Sequence, residues 1–263
     1  YNVIILSFSN TESVAKHIPY LLPFALDLTG YKTIIQDSDF INSLLVSLFV
    51  TIAGTAVNMV LSVIAAYVLS RKYLDGRNMI MSVIVFTMLF GGGLVPTYMV
   101  IKDMGLINKV WAMILPTAIN TYYLIIMKNY FLGLPDGLFE AAKLDGAGEW
   151  TMLWKVAFPL SKPIMATFTL FYAVDRWNEW YNALLYINKK ALSPLQIYLR
   201  DILTSLNSQL STQAQQMMGS TQKVSTSAVQ MATIVITALP IMLVYPYLQK
   251  YFVNGVMVGG IKE

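Results

Sequence analysis

Residues 40–69 read FINSLLVSLFVTIAGTAVNMVLSVIAAYVL and hold no acidic or basic side chain; Asp39 and Arg71 close the run on either side. Crossing the hydrocarbon core of a bilayer takes about 20 residues of helix, so this stretch spans with room for tilt. Its length excludes a barrel strand, and lipid offers no partner to the backbone groups of an open strand. The stretch therefore predicts a transmembrane helix.

Working outward, Arg71, Lys72, Asp75 and Arg77 make a short charged turn. A second uncharged run covers 78–101. It contains Gly91, Gly92, Gly93 and Pro96, which loosen or kink a helix. Residues 102–109 are a polar connection, and 110–127 form the next span, with Pro116 inside it. The run 163–187 is apolar but interrupted by Asp175, Arg176 and Glu179. Residues 188–223 are rich in Gln, Ser and Thr and read as a loop, followed by a last span over 224–249 with Pro240 and Pro246 and a tail over 250–263. At the other end, 1–9 is apolar but too short to span and reads as the end of a first helix whose start is missing. The fold class expected is all-α: a polytopic membrane protein of six transmembrane helices, the first truncated, in one domain over 1–263.

Composition agrees. Hydrophobic residues make up 56% of the chain and charged residues 12%, about half the usual soluble share, with a mean hydropathy of +0.58. Such a surface needs a bilayer to cover it. The net charge of +4 comes with no basic cluster interleaved with aromatics, so no nucleic-acid partner is expected. With no cysteine and a single histidine, His17, read as a solvated loop residue, neither a metal site nor a nucleophile–base pair is expected. No catalytic residue is assigned, because HExxH and GxSxG motifs are absent. The short turn 71–77 carries Arg71, Lys72 and Arg77, which leans towards a cytoplasmic side for it, although Lys189, Lys190, Arg200 and Lys223 lie on the opposite side.

One connection differs from the rest. Residues 134–163 read LPDGLFEAAKLDGAGEWTMLWKVAFPLSKP. Pro135 and Asp136 suit a helix start. Leu138, Phe139, Ala142 and Leu144 supply an apolar side, and Gly146 and Gly148 break the helix. Trp150, Met152, Leu153 and Trp154 begin a second short helix that Pro159 and Pro163 end. The segment is too polar for lipid and too apolar to face water alone. It either docks on a partner protein or lies on the headgroups.

Glu140-Ala141-Ala142, three residues, Gly146, nine residues, then Val156-Ala157-Phe158-Pro159 resembles the EAA signature of bacterial ABC importer permeases. The family usually has Ile and Leu where this chain has Val156 and Phe158, and both changes keep apolar character. Asn42-Ser43, Ala65-Ala66-Tyr67 with Ser70-Arg71, Trp177-Asn178-Glu179 and Val253-Asn254-Gly255 with Gly259-Gly260 are similar to the smaller permease of the maltose-type, carbohydrate-uptake branch. Residues 175–199 resemble a subgroup that handles complex oligosaccharides and polysaccharide fragments, acidic ones included.

The resemblance implies a type I ABC importer permease fold in the bacterial cytoplasmic (inner) membrane. It implies a second homologous permease, two ATPase subunits and an extracytoplasmic sugar-binding protein as partners. ATP and Mg belong to the ATPases, and no cofactor is expected in this chain, which lacks a G-x-x-x-x-G-K-[ST] loop. Residues 133–162 become the cytoplasmic EAA coupling loop, with Glu140, Ala141, Ala142, Asp145, Gly146, Trp150, Met152, Leu153 and Pro159 as ATPase-coupling residues. Trp150, Met152 and Leu153 are expected as its apolar plug. Asn254, Gly255 and Gly259 in the tail are expected to reach the ATPases.

Polar groups inside spans are costly and usually face a cavity or a partner. Asn58, Asn120, Tyr123, Asp175, Arg176, Trp177, Glu179 and Tyr181 are candidates for the translocation path, with Arg176 placed to meet an acidic sugar. The competing reading is an ion-paired structural cluster with an interfacial aromatic belt. Two further functions stay open on the residues alone. A secondary transporter would use Asp175 and Glu179 for a coupling ion but leaves residues 140–159 unexplained. A membrane enzyme lacks every motif named above.

Overall fold

The computed structural model describes residues 2–8, 27–213 and 226–260, with side chains left undescribed at 205–213, 226–227 and 247–260. His17, residues 214–223 of the expected loop and the first two residues of the expected last span, 224–225, lie outside the described residues. Every regular element among the described residues is helical. In chain order the main ones are Asn2–Ser7, Thr29–Gln36, Ser38–Ser70, Arg77–Leu89, Leu94–Asp103, Thr121–Leu132, Asp136–Leu144, Lys162–Trp177, Tyr181–Tyr186, Leu195–Gln213 and Thr226–Gly260.

The run that decided the fold is one helix of 33 residues, Ser38–Ser70. It and Ala228–Pro246 are the two described helices long and apolar enough to cross a membrane. The other expected spans are divided. Residues 78–101 take the kink expected of them, in an extreme form: Arg77–Leu89 and Leu94–Asp103 meet at 114° across the three glycines and count as a third crossing if the bent pair is one span. Residues 110–127 separate into Trp111–Ile114, a 3-10 turn over Leu115–Thr117 and the start of Thr121–Leu132. Pro116 lacks the donor an α-helix would need there, and the Asn120 side chain then caps the new helix by accepting from the Tyr122 and Tyr123 amides. Residues 163–187 separate into Lys162–Trp177 and Tyr181–Tyr186. The expected loop 188–223 is helical over Leu195–Gln213.

The chain divides into two compact units. The first comprises residues 1–48 and 178–245. Here the start of the Ser38–Ser70 helix holds the segment after Ile187. Ser47 Oγ accepts from the Leu195 amide at 2.7 Å, Asn42 donates to the Ala191 carbonyl at 2.8 Å, and Lys190 pairs with Asp39. Asp37 accepts from the Tyr198 hydroxyl at 2.7 Å while the Phe40 and Tyr198 rings pack at 5.8 Å. These fixed contacts explain why a Gln/Ser/Thr-rich stretch is ordered where its sequence suggests a loop.

The second unit comprises residues 49–177 and 246–263. Its core packs Val63, Ala66 and Tyr67 against Leu124, Met127 and Phe131, and then Phe139, Met152, Met165, Phe168 and Tyr172. Tyr172 is 1% exposed, and its hydroxyl bonds Ser62 Oγ at 2.7 Å and accepts from the Asn120 amide at 3.1 Å. Tyr172→Phe is expected to lower stability by about 1–2 kcal/mol, because the Asn120 amide loses its acceptor; thermal unfolding in detergent measures it.

Candidate functional site

The EAA loop is built by two local rules. The Asp136–Leu144 helix ends at Asp145, and Gly146 follows at φ +78°, the left-handed region that glycine enters without strain. The Ala147 amide donates to the Ala142 carbonyl at 2.9 Å and the Gly146 amide to Lys143 at 3.0 Å. This pair of bonds is a Schellman cap, which satisfies the last carbonyls and turns the chain sharply. Glu149–Thr151 then opens the second helix, which continues as a π-helix over Met152–Ala157. Pro159 accounts for the π stretch: it has no N–H for the Lys155 carbonyl and its ring crowds that group, so the ladder before it widens.

The loop carries an exposed apolar and acidic edge. Leu144 is 90% exposed and Trp150 63%. Glu140 and Asp145 are exposed, and neither has an ion-pair partner among the described residues. Met152 and Leu153 lie elsewhere: at 1% and 2% exposure they belong to the core of this chain. The expected plug is corrected accordingly. Of the three, only Trp150 is exposed, together with Leu144, while Met152 and Leu153 anchor the loop to the rest of the chain. The run of bulky residues hides this, because the helical period sends Met152 and Leu153 inward while Trp150 and Trp154, four apart on one face, stay exposed. Ala142 packs half-buried against the core and Ala141 is exposed.

A cleft of about 230 Å³ beside the loop is lined by Arg71, Lys72, Tyr73, Phe139, Glu140 and Lys143, among others. The Arg71 guanidinium lies 4.4 Å from the Tyr67 ring centre and 4.0 Å from that of Phe139. Lys72 pairs with Asp136 at 2.7 Å and holds that carboxyl below its ordinary value. Burial, with a hydrogen bond to Glu149, pushes the Tyr73 phenol up to about 12.

The path candidates do not stay together. Arg176 is 4% exposed. Its Nη1 donates to the Met113 carbonyl at 2.7 Å, and its Nη2 to the Thr117 carbonyl at 2.6 Å, to Asn58 Oδ1 at 3.2 Å and to the Ile114 carbonyl at 3.4 Å. These carbonyls flank the helix break around Pro116, where the regular ladder is interrupted, and the buried guanidinium supplies donors to them. The expectation that Arg176 meets an acidic sugar is thereby corrected: its guanidinium faces the protein. Asn58, at 1% exposure, and the N-cap Asn120 are structural in the same cluster, and Trp177 is buried at 5%. Asp175, one residue along, is exposed and accepts from the Tyr123 hydroxyl at 3.2 Å.

Glu179 and Tyr181 belong to the first unit. There Glu179 accepts from the Asn182 amide at 2.9 Å and from its side chain at 3.0 Å, starting the Tyr181–Tyr186 helix. Trp180 and Tyr181 are each 48% exposed, and their rings meet edge-on. In the tail, Asn254, Gly255 and Gly259 fall on the Thr226–Gly260 helix, and the Asn254 side chain lies outside the described residues.

Comparisons with known proteins bear on this arrangement. Protein LplC of Bacillus subtilis is 43% identical over 97% of this chain and 86% of its own length. The polygalacturonan/rhamnogalacturonan transport system permease protein YtcP of the same organism is also 43% identical, over 99% of this chain and 91% of its own length. Among solved structures, a chain of a bacterial ABC transporter involved in the import of the acidic polysaccharide alginate superposes with a TM-score of 0.86. It is 32% identical and covers 95% of this chain and 88% of its own. Its fold is the type I ABC permease fold, and this chain shares it. Residues 77–258 match the binding-protein-dependent transport system inner membrane component family, so the chain belongs to that family and is a permease subunit of an ABC importer, a transport protein and not an enzyme.

Proposed function

We infer that this permease imports an oligosaccharide cut from a polysaccharide and is driven through residues 140–150 by a separate ATPase. The observation that carries the coupling reading is the exposed edge of the loop. Leu144 and Trp150 present apolar surface, and Glu140 presents a carboxylate with no ion-pair partner among the described residues, on a chain with no phosphate-binding motif of its own. A basic cleft on an ATPase that binds ATP and Mg would complement that edge. Docking desolvates Glu140 beside its partner, and truncating it strands the opposite charge.

The remaining partners follow from the same reading: a second permease, two ATPases and an extracytoplasmic binding protein, all at the bacterial inner membrane. The loop 133–162 and the tail 250–263 then face the cytoplasm, with Asn254, Gly255 and Gly259 towards the ATPases, and 188–223 faces the binding protein. ATP closes the ATPase pair, and the spans rock between inward-open and outward-open states. Asp175 and Tyr123 stay candidates for hydrogen bonds to sugar within the second unit, and Trp180 and Tyr181 stay stacking candidates within the first. Uronate-containing fragments are the favoured cargo, because the named substrates of YtcP and of the alginate importer are acidic polysaccharides. With Arg176 buried, their carboxylates are met by another subunit.

Glu140→Ala is expected to lower uptake by roughly 30-fold or more, the scale of a stranded interfacial charge, while the protein still inserts and folds. Gly146→Val forces a β-branched residue into the left-handed region and should uncouple as strongly, with nothing within 4 Å for its Cβ to strike. Uptake and substrate-stimulated ATPase in reconstituted vesicles measure both; normal values in either variant overturn the assignment. A thermal-shift screen of the binding protein against oligogalacturonides and neutral oligosaccharides tests the cargo, and stabilisation by neutral sugars alone overturns the acidic class.

A further inference from the structure

The coupling reading leaves one acid of the loop without a role. Glu149 opens the second short helix, directly after Gly148. Both of its oxygens are engaged: Oε2 accepts from the Tyr67 hydroxyl at 2.9 Å, and Oε1 from the Tyr73 hydroxyl at 2.5 Å. Tyr67 stands in the last turn of the Ser38–Ser70 helix, and Tyr73 in the turn that follows it. A single carboxylate therefore joins the second half of the loop to both sides of a helix end.

The first half of the loop is tied to the same turn by different means. Arg71 packs on Phe139, Lys143 Nζ lies 4.3 Å from the Tyr73 ring centre, and Lys72 pairs with Asp136. The Lys72–Asp136 pair is about two-thirds exposed on each side, so water and salt screen it. Phenol-to-carboxylate bonds are charge-assisted and short, and they fix direction as well as distance. A rocking importer needs that property, because a push on the loop moves a span only if the joint between them is stiff.

We propose that Glu149 is a positioning residue that locks the second helix of the EAA loop to the end of the Ser38–Ser70 helix through Tyr67 and Tyr73, so that displacement of the loop reaches that helix undiminished. The proposal rests on the coupling reading above and adds the element that receives the motion. Glu149 touches neither ATP nor sugar in this role.

The test uses the whole importer, with its second permease, ATPases and binding protein, in proteoliposomes. The variants are Glu149→Gln, which keeps the size but removes the charge, Tyr73→Phe, which removes one exposed hydroxyl, and the two combined. Sugar imported per ATP hydrolysed is the readout, because a purely structural defect lowers the amount of complex and leaves this ratio alone. Each single variant is expected to purify with its ATPases and to lower the ratio about tenfold or more, the scale of one lost charge-assisted bond. The double variant is expected to be little worse than either single one, since both remove the same joint. An unchanged ratio in both single variants, or fully additive losses, overturns the proposal. Loss of the ATPases on purification of Glu149→Gln also overturns it, by making Glu149 a docking contact. Glu140→Ala runs in parallel: normal uptake in that variant sinks the coupling reading itself, whereas lost uptake there with a normal ratio at Glu149 sinks this proposal alone.

Discussion

Arg176→Ala is expected to leave little intact importer. The guanidinium is 4% exposed and donates to three main-chain carbonyls and to Asn58. Removing it leaves the Met113, Ile114 and Thr117 carbonyls without that donor, in a buried cluster that bulk water does not reach. Leaving buried acceptors unsatisfied costs about 1–3 kcal/mol each, so a loss of roughly 3–5 kcal/mol is expected. Thermal unfolding of the detergent-solubilised complex should show a midpoint lower by roughly 10 °C or more. Arg176→Lys should recover only part of this, since one ammonium cannot reach the spread of acceptors that a planar fork reaches. The same experiment separates structure from path. If Arg176 served cargo, Arg176→Lys would change which sugars are taken up and leave the unfolding midpoint in place. The geometry predicts the reverse.

Gly54→Val should produce the second large effect, and through the same side chain. A Cβ at position 54 would lie 2.8 Å from Arg176 Cδ and 3.2 Å from its Cγ and Nε. Arginine is ordinarily flexible enough to yield, but here its far end is held by the carbonyls of the broken helix. The added methyls must displace either the guanidinium or the Ser38–Ser70 helix. Overpacking of this kind costs about 1–3 kcal/mol. Thermal unfolding checks the magnitude, and a double-mutant cycle checks the cause. In an Arg176→Ala background the Cδ is gone, and the penalty of Gly54→Val should shrink to below about 1 kcal/mol. Equal penalties in both backgrounds would mean that position 54 is crowded by something other than Arg176.

The two variants explain why the run that opened the sequence reading has small residues in it. Gly54 suits a place where another chain segment comes close, and in a membrane helix small residues let neighbours approach. The sequence carries the glycine but not its neighbour, which stands more than a hundred residues away. Asn58 and Arg176 show the same limit. As polar residues within apolar runs both are path candidates on sequence alone, the correct default for an isolated helix. What turns them inward is the helix break at Pro116, which creates carbonyls in need of a donor.

The amino-acid sequence by itself determined the membrane class, because an uncharged run from 40 to 69 has no other place to go. It determined the position and turn of the EAA loop, because Gly146 and the spacing to Pro159 impose local geometry that no distant contact alters. Only the tertiary structure decided which bulky residues of that loop face outward, since burial of Met152 and Leu153 depends on a core assembled from four separate stretches. It also decided the role of Arg176, the helical state of 195–213, and the engagement of Glu149 by Tyr67 and Tyr73. In each case the cause is the same: the partner group is remote in sequence, and a side chain's function follows from the group it meets.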